Sequence, residues 1–362
     1  MSVIFLIILL VIVILVLVVS HEFGHFIVAK KCGMRVDEFG FGFPPNIFSY
    51  KKGETKYSFN ALPLGGYVKI FGQGGEENEL KKAGISEEEL KRSFLKKPKL
   101  ARAAVLFAGI FANLILAWML FSVGFMIGMP ASDTPNAKLT VLEISKDSPA
   151  EIYGLKEGDK ITSVNFENDR IADPTIDEFR NFNQDHKNQT VEVFFDRSGK
   201  VETTSLTVSE NGTIGIGIEM VGYQKYSFFK SIYEGFKYTA KATYGTVLGL
   251  AQFLGNIFIG QGNFSDVSGP IGVAKMAGSA FNFGFANLIS FVAIISISLA
   301  VLNLVPFPAL DGGQLLFLLI ETIKGSPIKQ KVANIVNLSG FALLILLMIA
   351  VTYHDIIGLI RK

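Results

Sequence analysis

Two histidines and a glutamate interrupt an apolar run near the N-terminus: the stretch VLVVSHEFGHFIVAKK, residues 16–31, carries His21, Glu22 and His25. On a helix, residues four apart share a face, so His21 and His25 can donate to one divalent metal ion. Glu22, one position on, can then take a proton from a water held beside them. The H-E-x-x-H pattern alone arises by chance on solvated helices, but these neighbours are lipid-compatible. An ionisable side chain in or near the hydrocarbon costs on the order of 2.5–3.5 kcal/mol on insertion scales. Three of them on one turn require a compensating ligand, and Zn²⁺ supplies it. Cys32 is the only cysteine, which excludes a thiolate cluster and an intrachain disulfide and leaves His, Asp or Glu to hold any metal. A catalytic zinc takes three protein ligands and leaves the fourth position to water. Asp311, at the end of a later apolar segment, is the expected third ligand; Glu321, over two turns further on, reads as an interface residue that snorkels to water.

The elements that must position these groups are mostly membrane helices. The chain has 362 residues, 49% of them hydrophobic, and 32 phenylalanines, with a mean hydropathy of +0.40, the composition of an integral membrane protein. A net charge of +2, with no Gly-rich phosphate loop or basic-aromatic patch, sets nucleic-acid binding aside. Residues 3–19 lack a basic n-region and a small-x-small cleavage site, so they predict a retained membrane helix rather than a signal peptide. In a first span over 3–29, His21 lies roughly 27 Å along, near the far edge of a hydrocarbon core about 30 Å thick.

Residues 30–102 hold 15 Lys or Arg against 9 Asp or Glu and are cytoplasmic by the positive-inside rule. Within them EFGFGF (38–43) and KYSFNALPLGGYVKI (56–70), around the turn YKKGET, predict a β-hairpin with one aromatic face. SEEELKRSFLKK, with Ser86 and Glu89 in capping-box spacing, predicts a short solvated helix. Residues 101–129 form a second span returning outward. Residues 130–225, with 10 basic against 17 acidic side chains, read as a folded domain outside the membrane.

Residues 226–262 mix Phe228, Phe229, Tyr233, Phe236 and Tyr238 with Lys230, Lys237 and Lys241, ahead of an uncharged run from Ala242 to Gly260. The run is just long enough to span, but an interfacial helix fits the aromatic and lysine content better. Zinc geometry bears on the choice: the span at 285–305 must run inward for Asp311 to meet the histidines, so 242–260 is expected not to cross fully, whether it lies at the interface or is partly inserted. Four spans result, the last at 332–353. His186, in a polar loop, and His354, after the last span, are expected to be solvated.

With HEFGH in the first span and NLVPFPALDGG (303–313) in the third, the sequence resembles the site-2 protease family of intramembrane zinc metalloproteases, most closely its bacterial RseP type. GGYVKIFG (65–72), AGIFANLILA (108–117), SPAEIYGLKEGDKITSVN (148–165) and SGPIGVAKMAG (268–278) extend the resemblance over nearly the whole chain. It implies that His21, His25 and Asp311 ligate zinc, that Glu22 is the general base, and that Asn303, Pro306 and Pro308 hold substrate. Independently, prolines break a helix and free its carbonyls, which is tolerated at membrane depth only beside protein or water. The resemblance also implies that the hairpin at 38–70 is a membrane-associated loop whose edge can pair with an unwound substrate segment. SPAEIYGLKEGD is similar to the PDZ signature, with room for one such domain. Where the family often reads Gly-Pro-x-x-Asn in the second span, this chain has Gly109, Ile110 and Asn113; Asn113 reads as an interhelical hydrogen-bonding residue without a part in the chemistry.

The expected fold class is an α-helical multi-pass membrane protein with four transmembrane helices, a membrane-associated β-hairpin and an inserted extracytoplasmic PDZ domain. Its expected parts are an N-terminal membrane part (1–129), the periplasmic PDZ domain (130–225), an amphipathic, interfacial segment (226–284) and a C-terminal membrane part (285–362). The function implied is a zinc-dependent endopeptidase in the bacterial inner membrane, making regulated cuts near the cytoplasmic face of single-pass membrane proteins, an anti-sigma factor or signal-peptide remnants. Its other partner is the lipid bilayer, and no nucleic acid is involved. The alternative is a catalytically inactive, PDZ-bearing membrane adaptor.

Overall fold

Long uninterrupted apolar runs dictate helices, since in lipid a helix satisfies every backbone group within its own segment. The computed structural model describes residues 3–74, 85–131, 134, 136–197, 199–260 and 269–360; Ser268, which opens the motif SGPIGVAKMAG, lies outside them. Four helices among the described residues are long and apolar enough to cross a bilayer. They are α1 (Val3–Lys31), α3 (Lys99–Ile127), α8 (Phe285–Leu304) and α10 (Gln330–Ile360). The ambiguous run at 242–260 belongs to a longer helix, α6 (Phe228–Phe258), which is not one of the four. The chain divides into two compact units: residues 1–121, 232–278 and 291–361 form one, and residues 122–231 and 279–290 the other.

In the first unit, α1 and α3 approach closely because small residues meet. A Cβ on Gly24 would stand 2.3 Å from the Ala108 carbonyl oxygen and 2.7 Å from the Ala112 Cβ, the close backbone contact that small residues permit between membrane helices. Ser20 Oγ donates to the Ala112 carbonyl at 3.4 Å, and Ser296 Oγ of α8 to the Asn113 carbonyl at 2.8 Å. Ser20, polar within an apolar stretch, thus spends its hydroxyl on the helix pair. The first half of α6 packs on the end of α3: Trp118 Nε1 donates to the Ile232 carbonyl at 2.9 Å and Phe121 meets Tyr238 edge to face. α7 (Pro270–Asn282) is tied to α10 by the Asp355 carboxylate, which accepts from the Gly272 N–H at 2.9 Å.

β1 (Val36–Lys52) and β2 (Thr55–Ile70) are joined by a tight turn at Gly53, whose φ of +62° suits glycine. Residues 38–41 take partners on both sides, 56–59 on one and 66–69 on the other. The expected hairpin therefore folds back into a small sheet in which 66–69 is an edge segment. Burial opposes ionisation of Glu54 in the turn, but hydrogen bonds from Lys30 and Arg92 outweigh it and hold the carboxyl below its ordinary range. α2 (Glu87–Lys91) is capped by Ser86, whose hydroxyl accepts from the Glu89 N–H. It is not wholly solvated, since Leu90 is buried and the Glu89 carboxylate accepts from Arg35.

The second unit is built on a sheet of order β3-β9-β4-β5-β7-β8, with β6 on β5. Its strands are β3 (Met129–Ala131), β4 (Lys138–Ile144), β5 (Lys160–Phe166), β6 (Asp169–Ala172), β7 (Thr190–Arg197), β8 (Lys200–Thr207) and β9 (Ile216–Gln224). Two helices accompany it, α4 (Pro149–Ile152) and α5 (Ile176–Asp185), the latter started by a reciprocal Thr175–Glu178 capping box. Phe179 and Phe182 of α5 join Val141, Ile161, Val164 and Leu206 in one buried core. The nearly fully buried Asp159 carboxylate takes two hydrogen bonds from the Arg197 guanidinium, at 2.8 and 2.6 Å. His186 is not solvated as expected: its ring lies against Phe166 and Phe182, with Nδ1 2.8 Å from the Phe182 carbonyl.

The contact at Gly24 generates a prediction. Gly24→Ala forces α1 off α3 at a backbone oxygen that cannot move aside, an overpacking cost of about 1–3 kcal/mol. A melting temperature several degrees below wild type, measured on the detergent-solubilised protein, is the expected result.

Candidate metal centre

α1 turns His21 and His25 to one side, as four-residue spacing requires, and their Nε2 atoms stand 3.2 Å apart. Asp311 Oδ2 lies 3.1 Å from His21 Nε2 and 3.3 Å from His25 Nε2. Among the described residues this is the only group of three His, Cys, Asp or Glu side chains placed to hold one metal ion. A tetrahedral zinc with bonds of about 2.0–2.1 Å separates its donors by about 3.3 Å, so the triangle fits the ion. Asp311 Oδ2 is buried and accepts no hydrogen bond, which is costly for a carboxylate unless a cation compensates it. His25 Nδ1 lies 2.8 Å from the Val105 carbonyl of α3. An N–H donated there leaves the Nε2 lone pair free for a ligand.

Asp311 reaches the histidines because the chain reverses sharply before it. Pro306 and Pro308 follow the end of α8 at Leu304, and α9 (Asp311–Lys324) begins at the aspartate itself. Between them Ala309 has a φ of +74°, a left-handed conformation unusual for a residue with a Cβ. Its N–H donates to Asn337 Oδ1 of α10 at 3.2 Å. A Cβ on Gly312 would stand 2.3 Å from the Val305 oxygen, and one on Gly313 2.2 Å from the Phe307 oxygen. The two glycines let the first turn of α9 fold back onto the loop. Gly340 of α10 similarly leaves room for Pro308.

Glu22 lies with the three donors in a cavity of about 590 Å³, bordered also by Asn303, Gln314 and residues 65–68 of β2. The backbone of Val68 hydrogen-bonds the Glu22 carboxylate, and a side chain at Gly66 would meet Val18 and Glu22. Of the expected substrate-holding residues, Asn303 borders this cavity; Pro306 is exposed and Pro308 packs on α10, and neither is part of its wall. A second cavity of about 930 Å³ shares Tyr67, Val68, Gln73 and Gln314 with the first. At their junction Gln73 Nε2 donates to Gln314 Oε1 at 3.1 Å. Burial, with a hydrogen bond to Glu38, outweighs the Asn60 contact and holds the Tyr67 hydroxyl above its ordinary range, so it remains protonated and neutral at physiological pH.

Glu321 is not a snorkelling residue. Its Oε2 lies 3.1 Å from Arg102 Nη1 and its Oε1 accepts from the Ile328 N–H at 3.2 Å, with both charged side chains largely buried. It bonds α3 to α9 and takes no place among the metal donors. His354 is exposed but lies on α10, within the candidate span Gln330–Ile357 and not after it, because the helix continues past the apolar run. Val105, Asn337 and Gly340 contribute to the site without having been singled out in the sequence, whereas Gly66 and Val68 belong to the motif GGYVKIFG. For Asn337 and Gly340 there was a signal: a polar residue and a glycine on one stretch of an otherwise apolar span.

Asn337 anchors the loop that carries Asp311. Asn337→Ala frees Ala309 to leave its left-handed conformation, and zinc affinity falls about 10–100-fold, the usual effect of losing an outer-shell support. Adding Ala309→Gly restores much of it, because glycine adopts φ +74° without steric cost. Chelator competition on the single and double variants measures both effects.

Similarity to known sequences agrees with this geometry. A sequence model of peptidase family M50 matches residues 9–347. A protein of Clostridium perfringens is 35% identical over 94% of this chain and 95% of its own length. Zinc metalloprotease RasP of Oceanobacillus iheyensis is 32% identical over 94% of this chain and 96% of its own. Zinc metalloprotease RasP of Geobacillus kaustophilus is 30% identical over 94% and 95%. With a zinc-compatible donor set among apolar helices and a family match spanning nearly all of its length, the chain belongs to peptidase family M50, the site-2 proteases, and is an intramembrane zinc metalloprotease.

Proposed function

We propose that this protease cleaves single-pass membrane helices near their cytoplasmic end, with His21, His25 and Asp311 holding Zn²⁺ and Glu22 acting as general base. The observation that carries this reading is the convergence of three donor atoms at 3.1–3.3 Å in a cavity that Glu22 shares. Zinc, when bound, supplies the Lewis acidity that amide hydrolysis needs. Glu22 takes a proton from the attacking water onto its carboxylate and delivers it to the leaving amine. The backbone of Val68 holds that carboxylate in place.

A helical substrate must unwind before its peptide bond is reachable. Residues 66–69 form an edge of the small sheet beside the cavity, and strand addition there would hold an unwound segment extended. The Asn303 amide, in the same cavity, would take up a freed backbone group, while Pro306 and Pro308 keep the neighbouring chain out of a helix. The proposed topology places residues 30–102 in the cytoplasm of a bacterium, in keeping with their excess of basic side chains, and the protein in the inner membrane. Residues 226–284 then lie along the interface, as the exposed Phe228, Phe229, Tyr233 and Phe236 suit.

The sheet unit is proposed to be a single periplasmic PDZ domain that screens substrates by their trimmed ends. Its support is the Ser148-capped α4 followed by the turn glycines Gly154 and Gly158, both at positive φ. An anti-sigma factor or a signal-peptide remnant suits such a site as substrate, each offering one membrane helix and a short outer stub. The adaptor alternative has no support, since Glu22 and the donor set stand together in one cavity.

The test is cleavage of a reporter transmembrane segment, with zinc measured on the same samples. Glu22→Gln retains zinc and loses at least about 100-fold in rate, the scale of general-base catalysis. Asp311→Asn loses zinc, and Glu321→Gln keeps it. Equal cutting by wild type and Glu22→Gln sinks the mechanism; zinc loss on Glu321→Gln alone transfers the third ligand to Glu321.

A further inference from the structure

When an imidazole ligates metal through Nε2, its Nδ1 carries the proton, and the acceptor of that proton sets the ring's orientation. His25 has such an acceptor in the Val105 carbonyl at 2.8 Å. His21 requires one too. The group facing its Nδ1, at 3.5 Å, is the side-chain amide of Asn113. Asn113 is fully buried, and its Oδ1 has no hydrogen-bond partner where it stands.

The register of the two helices makes this pairing systematic. Val105, Gly109 and Asn113 are each four apart, so they share one face of α3. They lie against the face of α1 carrying His25 and His21, met in the opposite order. Gly109, between the two supports, leaves the space the rings occupy: a Cβ there would stand 2.4 Å from His25 Nε2 and 2.7 Å from His21 Cε1. Ser296 Oγ donates to the backbone carbonyl of Asn113 at 2.8 Å, so the bond between α8 and α3 engages the main chain and leaves the side chain to the histidine.

The oxygen and nitrogen of an asparagine amide are nearly isosteric, and their assignment follows from the surrounding hydrogen bonds. Turning the Asn113 amide by 180° places Oδ1 against the His21 Nδ1–H, which gives the unpartnered oxygen a donor and the ring the acceptor that its metal-binding tautomer needs. We propose that Asn113 is a positioning residue for the metal. Its side-chain oxygen accepts from His21 Nδ1–H and fixes the tautomer that aims the Nε2 lone pair at the site shared with His25 and Asp311. This goes beyond the interhelical role expected of Asn113, and it rests on the zinc assignment proposed above.

The experiment measures the zinc dissociation constant of the full-length, detergent-solubilised protein by chelator competition, alongside the melting temperature of the same samples stripped with EDTA. Asn113→Ala is expected to weaken zinc 10–100-fold while the metal-free melting temperature stays within a few degrees of wild type. Asn113→Asp keeps an acceptor and makes the histidine more basic, so it is expected to bind zinc at least as tightly as wild type. A merely structural asparagine would not give opposite signs for these two substitutions. Wild-type affinity in Asn113→Ala, or equal weakening in Asn113→Ala and Asn113→Asp, overturns the proposal while leaving the zinc site intact. Absence of zinc binding by the wild type overturns the zinc assignment and this proposal together.

Discussion

A buried carboxylate oxygen facing two imidazole nitrogens needs its charge offset, by a metal ion or by a proton on one ring, and much of the membrane unit is arranged around that requirement. Uncompensated, the three groups would each cost several kcal/mol away from water. Gathered at 3.1–3.3 Å, they form a ready-made tetrahedral face with one position left open. A cation held there would stabilise the fold, and the fold the cation, because candidate ligands drawn from α1 and α9 meet only when both helices are in place.

Small residues make that meeting possible. Gly24 lets α1 lie against the backbone of α3, and Gly109 clears room for both imidazoles. Gly312 and Gly313 let α9 turn back on the loop that follows α8. Each is a place where a single methyl group would collide with a backbone atom or with the His21 and His25 rings. α10 donates nothing to the metal but holds the loop through Asn337 and Gly340. The last membrane helix therefore supports the aspartate from behind, and displacement of α10 would reach the metal centre through that loop.

The reacting groups sit beside a sheet edge rather than inside a closed helical bundle. Residues 66–69 have partners in 38–41 on one side, and the backbone of Val68 engages the Glu22 carboxylate. The arrangement presents main-chain hydrogen-bonding groups next to the candidate metal centre. The buried Arg102–Glu321 pair braces α3 against α9 at the edge of the second cavity. Its carboxylate is committed to that brace and stands apart from the His21, His25 and Asp311 group.

The sequence by itself determined the parts whose physics is local. His21, Glu22 and His25 lie within five residues, so helical periodicity alone puts the imidazoles on one face. The four spans follow from apolar runs, and Asp311 stands out as an acid ending one of them. Only the tertiary structure decided how these parts support one another. A backbone carbonyl such as that of Val105 leaves no trace in residue type, so the acceptor for His25 was invisible. Glu321 looked like an interface residue because its partner, Arg102, lies on another helix, and His186 like a solvated one because Phe166, which covers its ring together with Phe182 one turn back, lies on β5. The hairpin was legible from its alternation, but its return into a sheet with 66–69 at the edge depended on residues 38–41 pairing on both sides. Pattern records what a residue prefers as a neighbour; which neighbour it finds is decided by packing between helices and strands far apart in the chain.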